Sequence, residues 1–300
     1  MRFGLGFARH LGCAHGALKG GVVCAVLAGG FAVSDAHAQA ALVDGPAAGE
    51  TVVRKSVALG AAAIIQPKYE GSNEVEVIPI PMIIPSFVET EDTPDGIFKE
   101  VRQRITFRGL DEIRIRAFGG DHFQIGAVTG YITTRDQDDG DLLKGLGDVE
   151  GGLVLGAYTA YTLGAFTFDA AYIDKVTGES AGPQYRFGIE TEKQLTDRLK
   201  AGVRVGTTFA SAEYMQTYFG VTQAEANRSK AGLPVYKTDG GIKDVFVSVG
   251  GTYDISDRWV LKGGVNYSRL LDEAADSPVV QTPDQVSGTV GLAYRFYWDR

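Results

Sequence analysis

Both cysteines of this 300-residue chain, Cys13 and Cys24, fall within its first 38 residues. The remainder holds no thiol, disulfide or cysteine-based metal site, although many exported globular domains depend on disulfides. Histidine is as scarce: beyond residue 38 there is His122 alone, next to Gly119-Gly120-Asp121 in an expected tight turn. A Ser-His-acid triad would have to use that residue, and a zinc site could not be completed around it. These absences argue against an enzyme, and no metal or other cofactor is expected. Long hydrophobic runs are missing too. Gly20 to Val33 is apolar but too short and too rich in glycine for a good membrane helix, and no later segment supplies one. Positive charge is outweighed, with 29 Lys and Arg against 37 Asp and Glu, so nucleic acid is not an expected partner. No Pro/Ser-rich linker marks a second domain.

What is present begins with an export signal. Arg2, Arg9 and Lys19 precede the apolar run, and Ala36-His37-Ala38 has the small-x-small form of a cleavage site. Residues 1–38 read as a signal peptide and 39–300 as one mature domain starting at Gln39. Cys24, after Gly21-Val22-Val23, sits in a poor context for lipidation. Removing three basic residues and Asp35 leaves 26 basic against 36 acidic residues, a net charge of −10.

The mature domain alternates. Near the C-terminus Val286, Gly288, Val290, Leu292, Tyr294 and Phe296 share one face, opposed by Ser287, Thr289, Gly291, Ala293 and Arg295. One face suits lipid, the other a polar interior. Trp259 to Ser268, Asp244 to Ile255, Arg198 to Phe209, Phe166 to Tyr172 and Phe123 to Tyr131 repeat the pattern. Strands of about ten residues with aromatic ends are what a bilayer-spanning β-barrel requires, since closure pairs every backbone group without a helix. Connections alternate as well. Leu163 to Ala165, Thr196-Asp197 and Ser256-Asp257 are short, whereas Thr133 to Gly147, Thr177 to Gly182, Ser211 to Gly240 and Leu271 to Asp284 are long. The pattern predicts an all-β transmembrane antiparallel barrel of about twelve strands, near 52–65, 73–84, 97–108, 111–118, 122–132, 148–162, 165–175, 183–195, 198–210, 241–255, 258–270 and 285–296. Its expected place is the cell outer membrane, with short turns periplasmic and long loops outside. Outer-membrane lipid and lipopolysaccharide, and the barrel-assembly machinery that reads a terminal aromatic, are the partners this implies.

Six segments, in order, carry a resemblance to a known family: Gln66 to Ser72, Ile78-Pro79-Ile80-Pro81, Gly145 to Val149, Ala231 to Tyr236, Leu270 to Val280 and Tyr294-Arg295-Phe296. They are similar to the P-x-Y-E-G-S, G-L-G-D, S-G-L-P-x-Y and L-L-G-D-A-A-D-S-P-I-V stretches of the MltA-interacting protein/OmpV family of outer-membrane proteins. The resemblance implies a non-enzymatic envelope role. One member is described as a scaffold between a murein transglycosylase and a peptidoglycan synthase, and others are linked to adhesion, osmotic response or uptake. No functional residue is carried over. Two features depart from the family: Tyr297 to Arg300 follow the usual terminal aromatic, and Glu89 to Phe98 is long and acidic for a periplasmic turn. Tyr294, Phe296 and Trp298 are therefore the candidate assembly signal. Periplasmic contacts are expected at Gln39 to Thr51, Glu89 to Gly96 and the C-terminal tip.

Strand parity places many charges inward: Arg102, Arg104, Arg108, Arg114, Arg116, Arg186, Arg204 and Lys262, with Glu112, Asp169, Glu190 and Glu192. Two readings stand: a self-neutralising network that fills a narrow barrel, or an anion-attracting pore. The Asp136 to Asp141 run reads as a solvated loop, since it lacks the spacing of an EF-hand. In the longest loop, Thr222 with Glu225 predicts a capped short helix, either a lid or a mere surface helix. Pro79, Pro81 and Pro85 share parity and predict a seam on one side of the second strand.

Overall fold

The structure, a computed structural model, describes residues 54–87, 105–120 and 122–299. Twelve antiparallel strands form one sheet: β1 (Arg54–Pro67), β2 (Val75–Phe87), β3 (Ile105–Gly109), β4 (Glu112–Gly119), β5 (Phe123–Ile132), β6 (Gly152–Leu163), β7 (Phe166–Lys175), β8 (Gln184–Thr196), β9 (Leu199–Ala210), β10 (Gly241–Asp254), β11 (Trp259–Leu270) and β12 (Asp284–Asp299). Neighbours in sequence are neighbours in the sheet except β2 and β3, which stand at its two ends, and β1 also joins β12, from Arg54↔Asp299 to Ile65↔Gly288. The strands expected from alternation are there, with ends moved by a few residues. Of the third, the part before Ile105 lies outside the described residues, as do Arg102, Arg104, the acidic Glu89 to Phe98 stretch, the export signal and Gln39 to Thr51. The residues after Phe296 lengthen β12, and Trp298 stands in register with Lys55.

The period of two decides what faces where. Along β6, Val154, Tyr158, Ala160 and Thr162 are buried, while Leu153, Leu155, Tyr161 and Leu163 are exposed on the outer surface. The same outward display of Val, Leu, Ile and aromatics recurs on β5 and on β7 to β12. Such a belt would be an aggregation surface in water and is the seat of a barrel in a bilayer. Aromatics gather at both rims. Tyr172, Tyr185 and Phe209 stand side by side across β7, β8 and β9 near the long-loop end, with ring centroids 5.5 and 6.3 Å apart. Trp259, Tyr294 and Phe296 do so at the short-turn end, at 5.1 and 4.9 Å. Amphipathic rings settle at the headgroup level on each side.

β2 pairs with β1 throughout, from Lys55↔Phe87 to Pro67↔Val75, and among the described residues it has no other partner. Consecutive residues of a strand send their N–H groups to opposite sides. A continuous ladder to β1 therefore uses Ile78, Ile80 and Met82, and turns positions 79, 81 and 85 to the free edge. Proline at all three leaves that edge without donors there. Across it, Phe107 and Leu110 of the β3 hairpin pack on a cluster that includes Ile80 and Met82, so the two edges meet through side chains. Replacing Pro79 and Pro81 by valine should raise the thermal midpoint of the barrel by restoring donors and strand preference. An unchanged midpoint would count against a seam.

Candidate functional site: a lidded lumen

Inward positions of β3, β4, β7, β8 and β9 carry a connected charge network. Arg114 reaches Glu112 and Asp169, each at 2.6 Å. Arg204 reaches Asp169 at 2.7 Å. Arg186 holds Glu112 at 2.6 Å and Asp111 at 2.8 Å. Arg108 lies 2.7 Å from Glu190, an ion contact that adds to its longer approach to Glu112. Four guanidinium groups thus face four carboxylates, and the cluster is neutral. Ring faces support it: Tyr158 lies 4.9 Å from the Arg114 guanidinium and Phe246 lies 4.7 Å from that of Arg204. Gly188 makes the arrangement possible, because a Cβ there would come within 2.5 Å of the Arg204 guanidinium as it crosses to Asp169.

Other inward candidates stand apart from this cluster. Glu192 pairs with Lys200 at 2.8 Å. Lys262 lines the cavity described below. Arg116, just before a ladder irregularity, joins no ion pair among the described residues. At the C-terminal tip, Tyr294 and Phe296 face outward in the aromatic rim, and Tyr294 accepts a hydrogen bond from Arg258 at 2.7 Å. His122 is exposed in the β4–β5 turn, with Nδ1 3.2 Å from the Thr162 carbonyl. In the acidic run, the Asp136 and Asp139 carboxylates accept backbone N–H groups of their own loop.

The opposite wall is built from small residues. Ser248, Gly250, Gly264, Asn266, Ser287 and Gly291 line it on β10, β11 and β12. Large side chains on one wall and small ones on the other leave an off-centre cavity of about 480 Å³.

The long-loop end of the lumen is closed. The β9–β10 connection folds into α1 (Ala212–Phe219) and α2 (Gln223–Arg228). The expected cap is present on α2: the Thr222 hydroxyl accepts from the Glu225 N–H, and the Glu225 carboxylate accepts from that of Thr222. The helix that does the packing is α1, which alternation and capping signals did not reveal. Its N-cap is Ser211, and Tyr214, Met215, Tyr218 and Phe219 are buried with Ala181, Ala210, Leu270 and Ala274. A second cluster joins Tyr69, Leu143, Leu146, Val221, Leu233 and Val279. Four of the six family-like segments meet around these two clusters, although as much as 210 residues separate them. The Tyr69 hydroxyl donates to the Val279 carbonyl, the Gln281 N–H to Gly71, and the Lys230 N–H to Lys144. Gly71 and Gly145 have φ of +96° and +91°, and each packs against another segment, at Val280 and at the Arg228 backbone respectively.

Several charged and polar residues under this lid escaped parity. Lys243 lies where the β9–β10 register slips, so it is buried beside Asp244 and bound to Glu70. Tyr214 donates to Glu70 at 3.0 Å. Arg135, from the β5–β6 loop, donates through Nη1 to the Tyr218 carbonyl at 2.9 Å. A helical cap, a loop arginine and a ladder slip carry no periodic signal; the Tyr-Glu of the first family-like segment was the single pointer. Burial pushes the Tyr69 hydroxyl up to about 12, raises Tyr214 and Tyr218 as well, and lowers the Arg135 guanidinium.

A family model described as MltA-interacting protein MipA matches residues 59–296. Among curated proteins, outer membrane protein Omp26La of Vibrio anguillarum is 27% identical over 191 residues, which cover 62% of this chain and 72% of that one. Outer membrane protein OmpV of Vibrio cholerae is 26% identical over 194 residues, covering 62% and 72%. Among solved structures, the translocator domain of autotransporter NalP from Neisseria meningitidis is similar with a TM-score of 0.37 and 12% identity, over 82% of this chain and 90% of that one. The family match takes in nearly every described strand and all the lid segments, and the relatives are outer-membrane proteins. The chain is thus an outer-membrane β-barrel that belongs to the MltA-interacting protein MipA family.

Proposed function

We propose that this protein is a non-enzymatic scaffold of the cell envelope, holding peptidoglycan enzymes at the inner face of the outer membrane. The observation that carries the reading is the lid. Its two apolar clusters close the external mouth, and the neutral charge network occupies much of the bore below. A barrel built this way has little use as a constitutive pore, which leaves its surfaces to do the work. The family is described by an interaction with MltA, a murein transglycosylase. The periplasmic contacts proposed for Gln39 to Thr51, Glu89 to Gly96 and the C-terminal tip would serve such a partner, together with a peptidoglycan synthase. Deleting Glu89 to Gly96 should reduce co-purification with a murein transglycosylase, while unaffected recovery would sink that placement. In a planar bilayer the protein should be silent; stable openings without any change to the lid would overturn the scaffold reading. They would favour the second reading, an anion-preferring channel, for which the cavity beside the small-residue wall is the specific support.

A further inference from the structure

Arg114, Arg135 and Arg204 are the buried arginines among the described residues. Arg114 and Arg204 each hold a carboxylate. Arg135, 6% exposed, has none within 4 Å among the described residues; its Nη1 holds a backbone carbonyl and its Nε has no partner. The Tyr218 hydroxyl, on a residue 7% exposed, is also unpartnered, and both residues line the cavity under the lid. Leaving a buried charge without a counter-ion is costly, and an unmade hydroxyl bond adds to the cost. Burial keeps the phenol protonated, so it is a donor. Two buried donor atoms without an acceptor, on residues that line the same cavity, are complementary to an anion.

We propose that the cavity under the lid binds a small organic carboxylate with an apolar body, its carboxylate received by Arg135 and the Tyr218 hydroxyl. The charge follows from the neighbours. Lys243 is bound to Glu70 and Asp244, and Arg186 to Asp111 and Glu112, so these carboxylates are engaged elsewhere, and a single carboxylate on the ligand is enough to pair with the Arg135 guanidinium. A dianion such as phosphate would place its second charge near Glu70 and Asp111, which line the same space. The apolar body follows from the rest of the lining, where Ile64, Met82, Phe107, Leu110 and Ile132 face the cavity. At about 480 Å³ the space suits a small molecule. One carboxylate can accept from both donors at once, as its two oxygens offer several lone pairs.

The site stands whether or not the barrel acts as a scaffold, and bilayer conductance does not bear on it. The test is titration calorimetry on the purified protein in amphipol, with 4-phenylbutyrate, its neutral counterpart 4-phenylbutanol, and inorganic phosphate. Phenylbutyrate should bind at one site, and the alcohol should bind at least about tenfold more weakly, the difference a charge-assisted pair makes. Phosphate should give no measurable heat. Arg135→Gln should weaken phenylbutyrate by about tenfold or more, and Tyr218→Phe, which removes only an unpaired hydroxyl, by several-fold. Arg198→Gln, at the opposite end, should change nothing. Heat-modifiable migration on a gel establishes that each variant is folded. The proposal is overturned if wild-type protein fails to bind phenylbutyrate, if alcohol or phosphate bind as well as the acid, or if folded Arg135→Gln and Tyr218→Phe bind as wild type does.

Discussion

Asp169→Ala is expected to lower the unfolding free energy of the barrel by about 3–5 kcal/mol, the loss typical of breaking a buried ion pair from one side. Asp169 has no exposed side-chain surface and receives both Arg114 and Arg204, at 2.6 and 2.7 Å. Its removal strands one guanidinium and weakens the hold on the other, where the Arg114 and Arg204 side chains are 2% and 8% exposed. The cost therefore comes from what stays behind rather than from the intrinsic worth of the pair. Urea titration of the refolded protein, followed by tryptophan fluorescence, measures it. Two comparisons sharpen the result. Asp141→Ala breaks the exposed pair with Lys144 and should cost far less, since solvent screens it. A combined Asp169→Leu, Arg204→Met variant removes charge from both sides and should recover part of the loss. If Asp169→Ala costs no more than Asp141→Ala, the network is hydrated and the lumen is wetter than its burial indicates.

The second large effect is expected from removing the lid. Ala210 and Gly241 are paired across β9 and β10, so residues 211–240 leave and re-enter the barrel at adjacent points. A two-residue Asn-Gly hairpin can span them, because that dipeptide supplies the backbone twist a tight antiparallel connection needs. The deletion discards α1 and α2 and takes Tyr214, Met215, Tyr218 and Phe219 out of one lid cluster and Val221 and Leu233 out of the other. The strands keep their ladders. The shortened protein should fold and should show openings in a planar bilayer where the intact protein shows none. A milder form is Phe219→Asp, which puts a charge at a fully buried position. It should loosen α1 and expose the loop to protease before it affects the barrel, since the lid is held by its own small clusters. A lidless barrel that stays silent would assign closure to the charge network alone. An intact protein that conducts would remove the lid from the account of function.

The barrel was legible residue by residue because alternation is a local property. Each outward Val or Tyr and each inward Ser, Gly or Arg announces its face to the reader of a single strand, and twelve such strands with short and long connections leave few alternatives. The α2 cap was legible for the same reason, being an interaction over three residues. Inward parity also placed Arg108, Arg114, Arg186 and Arg204 on the lumen side, yet it could not say which carboxylate each one meets. That depends on stagger between strands: Arg114 of β4 finds Asp169 of β7, and Arg186 of β8 finds Glu112 of β4, across the bore rather than along the ladder.

The lid was illegible for a related reason. Tyr69, Leu143, Val221, Leu233 and Val279 belong to four connections, and none has a periodic pattern that marks it as buried. Lys243 was hidden by a ladder slip, and Arg135 by its place in a loop. By itself, then, the sequence determined the class of fold, the number of strands, the outward face and the ends at which short and long connections lie. The tertiary structure alone decided that a folded lid covers the long-loop mouth, that Arg108, Arg114, Arg186 and Arg204 meet four carboxylates, and that buried Arg135 has no carboxylate within 4 Å among the described residues. Period-two alternation is written in neighbouring residues, whereas the lid, the ion pairs and the isolation of Arg135 arise from contacts between segments far apart in sequence that only the folded barrel brings together.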